Sequence, residues 1–174
     1  KAKQAGMVVD EYKESQDICF IKGCSCADFL SERIGSVTHG AIVDEMGKRL
    51  GTHQGIPFYT VGQRGGLGIS AKRPLYVVEI DNKSNTIIVG EKGNLLSIGL
   101  IADRTNIFFD KQPTELIAKI RYAHKGVRCV VHLDKEKIFC DFENPQEAVS
   151  KGQSVVFYHG DVVWGGGIIC EVIK

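Results

Sequence analysis

Beyond Pro74 the chain alternates apolar and polar positions in short runs with a period of two, the pattern of half-buried strands. Leu75 to Ile80 and Thr86 to Gly90 flank the polar run Asp81-Asn82-Lys83-Ser84-Asn85, which predicts a hairpin. Leu116 to Tyr122, Val127 to Leu133 and Lys137 to Phe142 are further predicted strands. Val155 to Tyr158 and Val162 to Trp164 flank His159-Gly160-Asp161 as a second hairpin, and Ile168 to Ile173 closes the set. Many short strands joined by polar turns predict a small antiparallel barrel or sandwich.

The first seventy residues read differently. A short helical piece, Lys1 to Ala5, ends at Gly6, and the apolar stretch Ile18-Cys19-Phe20-Ile21 follows. Ser25-Cys26-Ala27-Asp28 fits a capping box and predicts a helix to about Ile34, stopped by Gly35. Val37 to Val43 predicts a strand and Asp44 to Gly47 a turn. Residues 40–68 then carry eight of the 20 glycines, which argues for close backbone approach or positive φ rather than a regular helix. The whole is an α+β chain, mostly β. Its expected divisions are residues 1–22 as the end of a preceding catalytic domain, 23–71 as a small central domain, and 72–174 as an antiparallel β-barrel.

The chain has 174 residues, 43% of them hydrophobic and 25% charged, which excludes global disorder. With 22 basic and 21 acidic side chains the net charge is +1, so a nucleic-acid surface would have to be local. Local basic segments exist. No acid lies between Glu45 and Glu79, a stretch holding Lys48, Arg49, Arg64, Lys72 and Arg73, with His53 besides. A second acid-free run holds Lys119, Arg121, His124, Lys125 and Arg128, and Tyr59, Tyr76 and Tyr122 are interleaved. Such faces neutralise phosphates and stack on bases, or are simply solvated. No apolar run approaches the roughly 20 residues of a membrane span. No signal peptide opens the chain, and its start at Lys1 reads as a boundary.

The six cysteines stand at 19, 24, 26, 129, 140 and 170. With an ample apolar core and no secretory segment, a reducing cytoplasmic compartment is expected. Cys19, Cys24 and Cys26 match no common zinc spacing, so no metal is expected. There is no Gly-x-x-x-x-Gly-Lys-[Ser/Thr] loop and no legible Ser-His-Asp or paired-carboxylate arrangement. Cys129, Cys140 and Cys170 lie in predicted strands and read as inert core thiols.

Four strings in order carry a resemblance: Ser15-Gln16-Asp17-Ile18-Cys19-Phe20-Ile21; Gly62-Gln63-Arg64 with Gly66-Leu67-Gly68-Ile69; Gly152-Gln153-Ser154 with Phe157-Tyr158; and Gly165-Gly166-Gly167-Ile168-Ile169. The chain closely resembles the C-terminal part of the bacterial tRNA-specific 2-thiouridylases over nearly its whole length. The resemblance implies an enzyme that adenylates the C2 oxygen of the wobble uridine and delivers sulfur from a cysteine persulfide. It places that persulfide on Cys19. A second cysteine of the N-terminal domain assists and can pair with Cys19 in a disulfide. ATP and Mg would be bound by that domain, and no cofactor is expected in this chain, which alone should not thiolate tRNA. The implied partners are tRNA and a sulfur relay protein or cysteine desulfurase, with no membrane.

The same resemblance implies tRNA contacts at Arg121, Tyr122 and Gln153. Arg64 is a possible further contact, and Gln63 is expected to brace the glycine-rich turn. Cys24 and Cys26 stand where relatives usually carry charged residues, so Cys19 need not be the sole reactive thiol. Lys22, three residues from Cys19, could favour its thiolate. The triple glycine 165–167 predicts close packing or a bulge. The competing readings are a stand-alone RNA-binding module without catalysis and a small-molecule-binding barrel lined by the glycine-rich segment.

Overall fold

The computed structural model describes residues 26–109, 113 and 115–174. The chain divides into two compact units, residues 1–36 and 37–174. The described part of the first contains helix α1 (Cys26–Ile34), with Arg33 stacked on the Phe29 ring one turn back at 3.8 Å. Gly35 follows at a φ of 70°, the left-handed stop its sequence position predicts. The expected cap residue Ser25 and the apolar Ile18–Ile21 stretch lie outside the described residues.

The second unit begins with a mixed four-stranded sheet built from β1 (Gly40–Asp44), β2 (Arg49–His53), β3 (Tyr76–Asp81) and β4 (Thr86–Gly90), in the order β2-β1-β4-β3. β1 turns back onto β2 because Asp44 Oδ1 accepts the backbone N–H groups of Met46 and Lys48 at 3.0 and 2.9 Å. β1 then pairs with β4 in parallel. The hairpin formed by β3 and β4, expected within the barrel, therefore completes the small sheet instead. Hairpin periodicity identifies two partners and is silent about the third strand they meet. β2 is not predicted by pattern, since Arg-Leu-Gly-Thr-His is largely polar. It forms at the sheet edge, where one paired side suffices. Ile42, Leu67, Val77, Ile87 and Val89 make the core of this sheet.

Six strands then close into a barrel in the order β10-β5-β8-β7-β6-β9. They are β5 (Leu96–Ile107), β6 (Leu116–Lys119), β7 (Val127–Asp134), β8 (Lys137–Glu147), β9 (Ser154–His159) and β10 (Val162–Ile173). All six neighbouring pairs run antiparallel. β7 shows the expected alternation: Val127, Cys129 and Val131 point inward, while Arg128, Val130 and His132 face out or lie more exposed. Trp164 fills the interior edge-on to Phe157, with ring centroids 6.4 Å apart. β5 is a twelve-residue strand that the sequence pattern misses, because register shifts between Ser97 and Gly99 break its alternation.

β10 is continuous where two strands were expected, and the triple glycine is the reason it can be. A Cβ at Gly166 would lie 2.5 Å from the Val155 carbonyl oxygen, and one at Gly167 2.8 Å from that of Asp103. The strand passes between β9 and β5 there with register shifts on both sides. Both parts of the expectation, close packing and bulging, are met.

His53 is not the surface cation its basic neighbourhood suggests. It is 0% exposed. Its Nδ1 accepts the Gly55 N–H at 3.1 Å, and its Nε2–H donates to the Asn85 carbonyl at 3.0 Å, which defines the neutral tautomer. Asn85, at a φ of 51°, sends its amide to the carbonyls of Thr38 and His39. The Tyr59 ring stands edge-on to the imidazole at 5.7 Å. One imidazole thus ties the end of β2 to the β3–β4 turn and to the chain leading into the glycine-rich segment. His53→Ala strands the buried Gly55 N–H and the half-buried Asn85 carbonyl and should lower unfolding free energy by about 2 kcal/mol. Urea titration followed by far-UV circular dichroism would register the lower midpoint.

Candidate nucleic-acid interface

The barrel carries a surface groove of about 660 Å³ where the chain leaving β6 meets the turn into β9. Ile120, buried in the barrel, anchors the exit of β6, so Lys119 and Arg121 on either side of it reach the groove. Tyr122 follows, 77% exposed. The turn at 121–126 is stiff. His124 N–H donates to the Arg121 carbonyl at 3.0 Å, and the His124 ring pairs with Gln146 Oε1 at 2.9 Å. Arg121 Nη1 donates to the Glu147 carbonyl at 3.3 Å, which steadies the guanidinium while leaving the side chain exposed.

The opposite wall comes from the Gly152-Gln153-Ser154 turn and β9. Gly152 adopts a φ of 84° and its N–H donates to the Ile169 carbonyl at 2.8 Å; the Ile169 N–H donates back to the Gln153 carbonyl at 2.8 Å. That reciprocal pair fixes the backbone of Gln153 against β10. The structure thus brings Arg121, Tyr122 and Gln153 to one groove. It adds Lys119, Ser154 and Tyr158, which were not expected as tRNA contacts. Lys119 Nζ lies 5.3 Å from the centre of the Tyr158 ring, so the cation of β6 and the aromatic face of β9 meet across the seam. The available signal was register: Lys119 stands two residues before Arg121 on a strand, hence on the same face. No acid occurs between Glu115 and Asp134, so β6, its exit turn and most of β7 carry only positive charge. Fixed cations, an amide and two tyrosines in one groove suit a phosphate backbone with unstacked bases.

Arg64 lies elsewhere, on the glycine-rich loop of the small sheet, where it lines a separate concavity with Lys72 and Arg73. Gln63 braces that loop as expected. Its Oε1 accepts the Thr60 N–H at 3.1 Å and its Nε2 donates to the Gly65 carbonyl at 2.8 Å.

Cys19 and Cys24 lie outside the described residues; the backbone of Cys26 opens α1. Cys129, Cys140 and Cys170 are free thiols. Cys140 is fully buried, and the adjacent Cys129 together with burial pushes its pKa well up, so it stays protonated. Cys129 is buried beside it and its Sγ meets the Leu116 carbonyl at 3.5 Å. Among the described residues no three His, Cys, Asp or Glu side chains gather as a metal site, and no helix is long and apolar enough to cross a membrane.

Fold and groove together define a class: a small mixed sheet followed by a closed antiparallel barrel with a cationic, aromatic groove. Residues 27–91 match the family model described as tRNA methyl transferase PRC-barrel domain, and residues 97–169 the one described as aminomethyltransferase beta-barrel domain. The tRNA-specific 2-thiouridylase MnmA of Lachnoclostridium phytofermentans is 43% identical over 98% of this chain and 49% of its own length. Its namesake from Acetivibrio thermocellus is 44% identical over 97% of this chain and 48% of its own length. That of Chlorobium chlorochromatii is 44% identical over 98% and 50%. The chain belongs to the tRNA-specific 2-thiouridylase family, and it spans about half the length of the curated relatives it matches.

The buried pair Cys129 and Cys140 should be silent towards alkylation. Cys140, its pKa raised, is still protonated at pH 8 while the thiolate is the nucleophile, and Cys129, which the Cys140 thiol shifts downward instead, is shielded by its burial. Brief iodoacetamide treatment of the native chain at pH 8, followed by peptide mass spectrometry, should leave Cys129 and Cys140 unmodified. Both should label after unfolding in guanidinium.

Proposed function

We propose that this chain is the tRNA-gripping and sulfur-carrying half of an ATP-dependent tRNA 2-thiouridylase of the cytoplasm. The observation that carries the reading is the groove that gathers Arg121, Tyr122 and Gln153 in a member of this family. Arg121 and Lys119 neutralise backbone phosphates there, and Tyr122 with Gln153 holds the nucleotide between them. Cys19 carries the persulfide. Its terminal sulfur goes to C2 of the wobble uridine, and the C2 oxygen, previously adenylated, leaves with AMP. The thiolate of a second cysteine outside this chain then attacks Cys19 Sγ, which breaks the S–S bond to the transferred sulfur and leaves the two cysteines in a disulfide; a cellular thiol reduces that disulfide, and a sulfur relay protein or cysteine desulfurase transfers new sulfane sulfur to Cys19.

We assign ATP and Mg to the part of the enzyme that this chain does not span. The sequence has no phosphate-binding Gly-Lys-[Ser/Thr] loop, and the described residues gather no carboxylates for a cation. Uridine activation therefore belongs to the part of the enzyme that this chain does not span, and residues 1–174 alone are inactive in thiolation.

Two measurements test the reading. Arg121→Ala should weaken tRNA binding and lower the slope of log K against log salt by about 1, the loss of one phosphate contact. An unchanged slope removes Arg121 from the interface. When the intact enzyme is incubated with a labelled persulfide donor, mass spectrometry should find the extra sulfur on Cys19. Label confined to Cys24 or Cys26 would reassign the carrier.

A further inference from the structure

The glycine-rich loop of the small sheet forms a concavity of about 440 Å³, separate from the barrel groove. Gly66, Leu67 and Gly68 line it together with Arg64, Lys72 and Arg73. Gly66 and Gly68 have φ values of 73° and 64°, a conformation that side-chain-bearing residues rarely adopt, and neither has a Cβ to cover the loop's amides. A turn whose glycines carry no side chains lets a bulky anion approach its backbone closely.

The loop is held rigidly. Leu67 is buried in the core of the sheet, and Ile69 packs so closely on β2 that a Cβ at Gly51 would lie 2.7 Å from its Cγ2. Gln63 bridges Thr60 and Gly65, while Gly62 and Gln63 exchange backbone hydrogen bonds with Val77 at 2.8 and 2.9 Å. The cations are not equivalent. Arg73 is paired with Glu91 at 2.8 Å. Arg64 and Lys72 are exposed, and among the described residues neither has a hydrogen-bonding or acidic partner. Two cations without a partner among the described residues, beside a hollow braced in this way, amount to more than a solvated charged face, because the receiving geometry is already fixed. No aromatic side chain lines the hollow, so it offers nothing on which a base could stack.

We propose that Arg64, Lys72 and the Gly66–Gly68 backbone form a second contact with the tRNA, a phosphate-backbone clamp that reads no sequence and acts alongside the barrel groove. The inference rests on the reading of the chain as a tRNA-binding half, and it places a contact on the small sheet as well as on the barrel. Phosphate contacts position a nucleic acid and base contacts specify it, so this clamp sets how the RNA lies across the chain.

The test compares tRNA binding by the full chain across salt concentrations for the unaltered sequence, Arg64→Ala/Lys72→Ala and Arg121→Ala. The double variant should lower the salt slope by about 2, equally for different tRNAs, and combining it with Arg121→Ala should lower it by about 3. The charge-preserving swap Arg64→Lys/Lys72→Arg should keep most of the slope. Because both residues are exposed, the double variant should unfold at the same urea concentration as the unaltered chain. A slope lowered by Arg121→Ala but untouched by the double variant overturns the clamp and leaves the groove standing. A slope that neither variant changes overturns both. If the double variant weakens binding of inorganic pyrophosphate without altering the tRNA slope, the hollow serves a free polyphosphate and the proposal fails.

Discussion

Closure of the barrel between β6 and β9 is the constraint on which the groove depends. That seam consists of three registered pairs, Ile117 with Tyr158, Ala118 with Phe157 and Lys119 with Val156. It joins segments about forty residues apart, and every side chain lining the groove stands on one side of it or the other. Closure requires β10 to follow β9 and then β5 without steric conflict, which is the task of Gly165 to Gly167. Larger residues there would meet the carbonyls of Asn106, Val155 or Asp103. The glycine run is therefore a packing requirement, and the candidate interface is positioned by residues that never touch it.

Much of this architecture was legible in the sequence. The strands β4, β7 and β9 follow from alternation with bounds within a residue or so, since buried positions alternate with more open ones along each. α1 was legible from its cap pattern and Gly35. β5 was not, because Gly99 and the bulge beside it interrupt its period, and its length is supported by β8 and β10 rather than by local preference. The placement of β3 and β4 in the small sheet was invisible for a related reason. Parallel pairing with β1 depends on chain crossing that no local window contains.

The candidate site divides in the same way. Arg121, Tyr122 and Gln153 were reached through motif resemblance, and nothing in their local pattern required them to share a groove. Lys119 and Tyr158 needed the register of two strands before they could be seen as neighbours. His53 reads the opposite way in sequence and structure. Amid basic residues it suggests surface charge, yet a half-buried carbonyl and a buried N–H on either side of its ring make it a neutral crosslink. Only the positions of Asn85 and Gly55 disclose that.

The near-neutral total charge is compatible with two strongly positive surfaces because the acids nearby are committed elsewhere. Asp44 caps the β1–β2 turn. Asp81 accepts the Ser84 hydroxyl and the N–H groups of Lys83 and Ser84, which hold its carboxyl below the usual range. Glu45 receives the Asn94 amide at 2.7 Å, Glu91 pairs with Arg73, and Glu147 pairs with Lys92. Each of these carboxylates secures a turn or a junction between elements. Their consumption in folding leaves Lys119 and Arg121 on the barrel, and Arg64 and Lys72 on the sheet, without a carboxylate of their own. Exposed cations of that kind gain most from a polyanion, since binding releases its condensed counterions without first breaking an internal ion pair. The balance of the sequence is thus a product of how the fold spends its acids, and the unspent bases supply the positive charge on which the proposed RNA contacts rest.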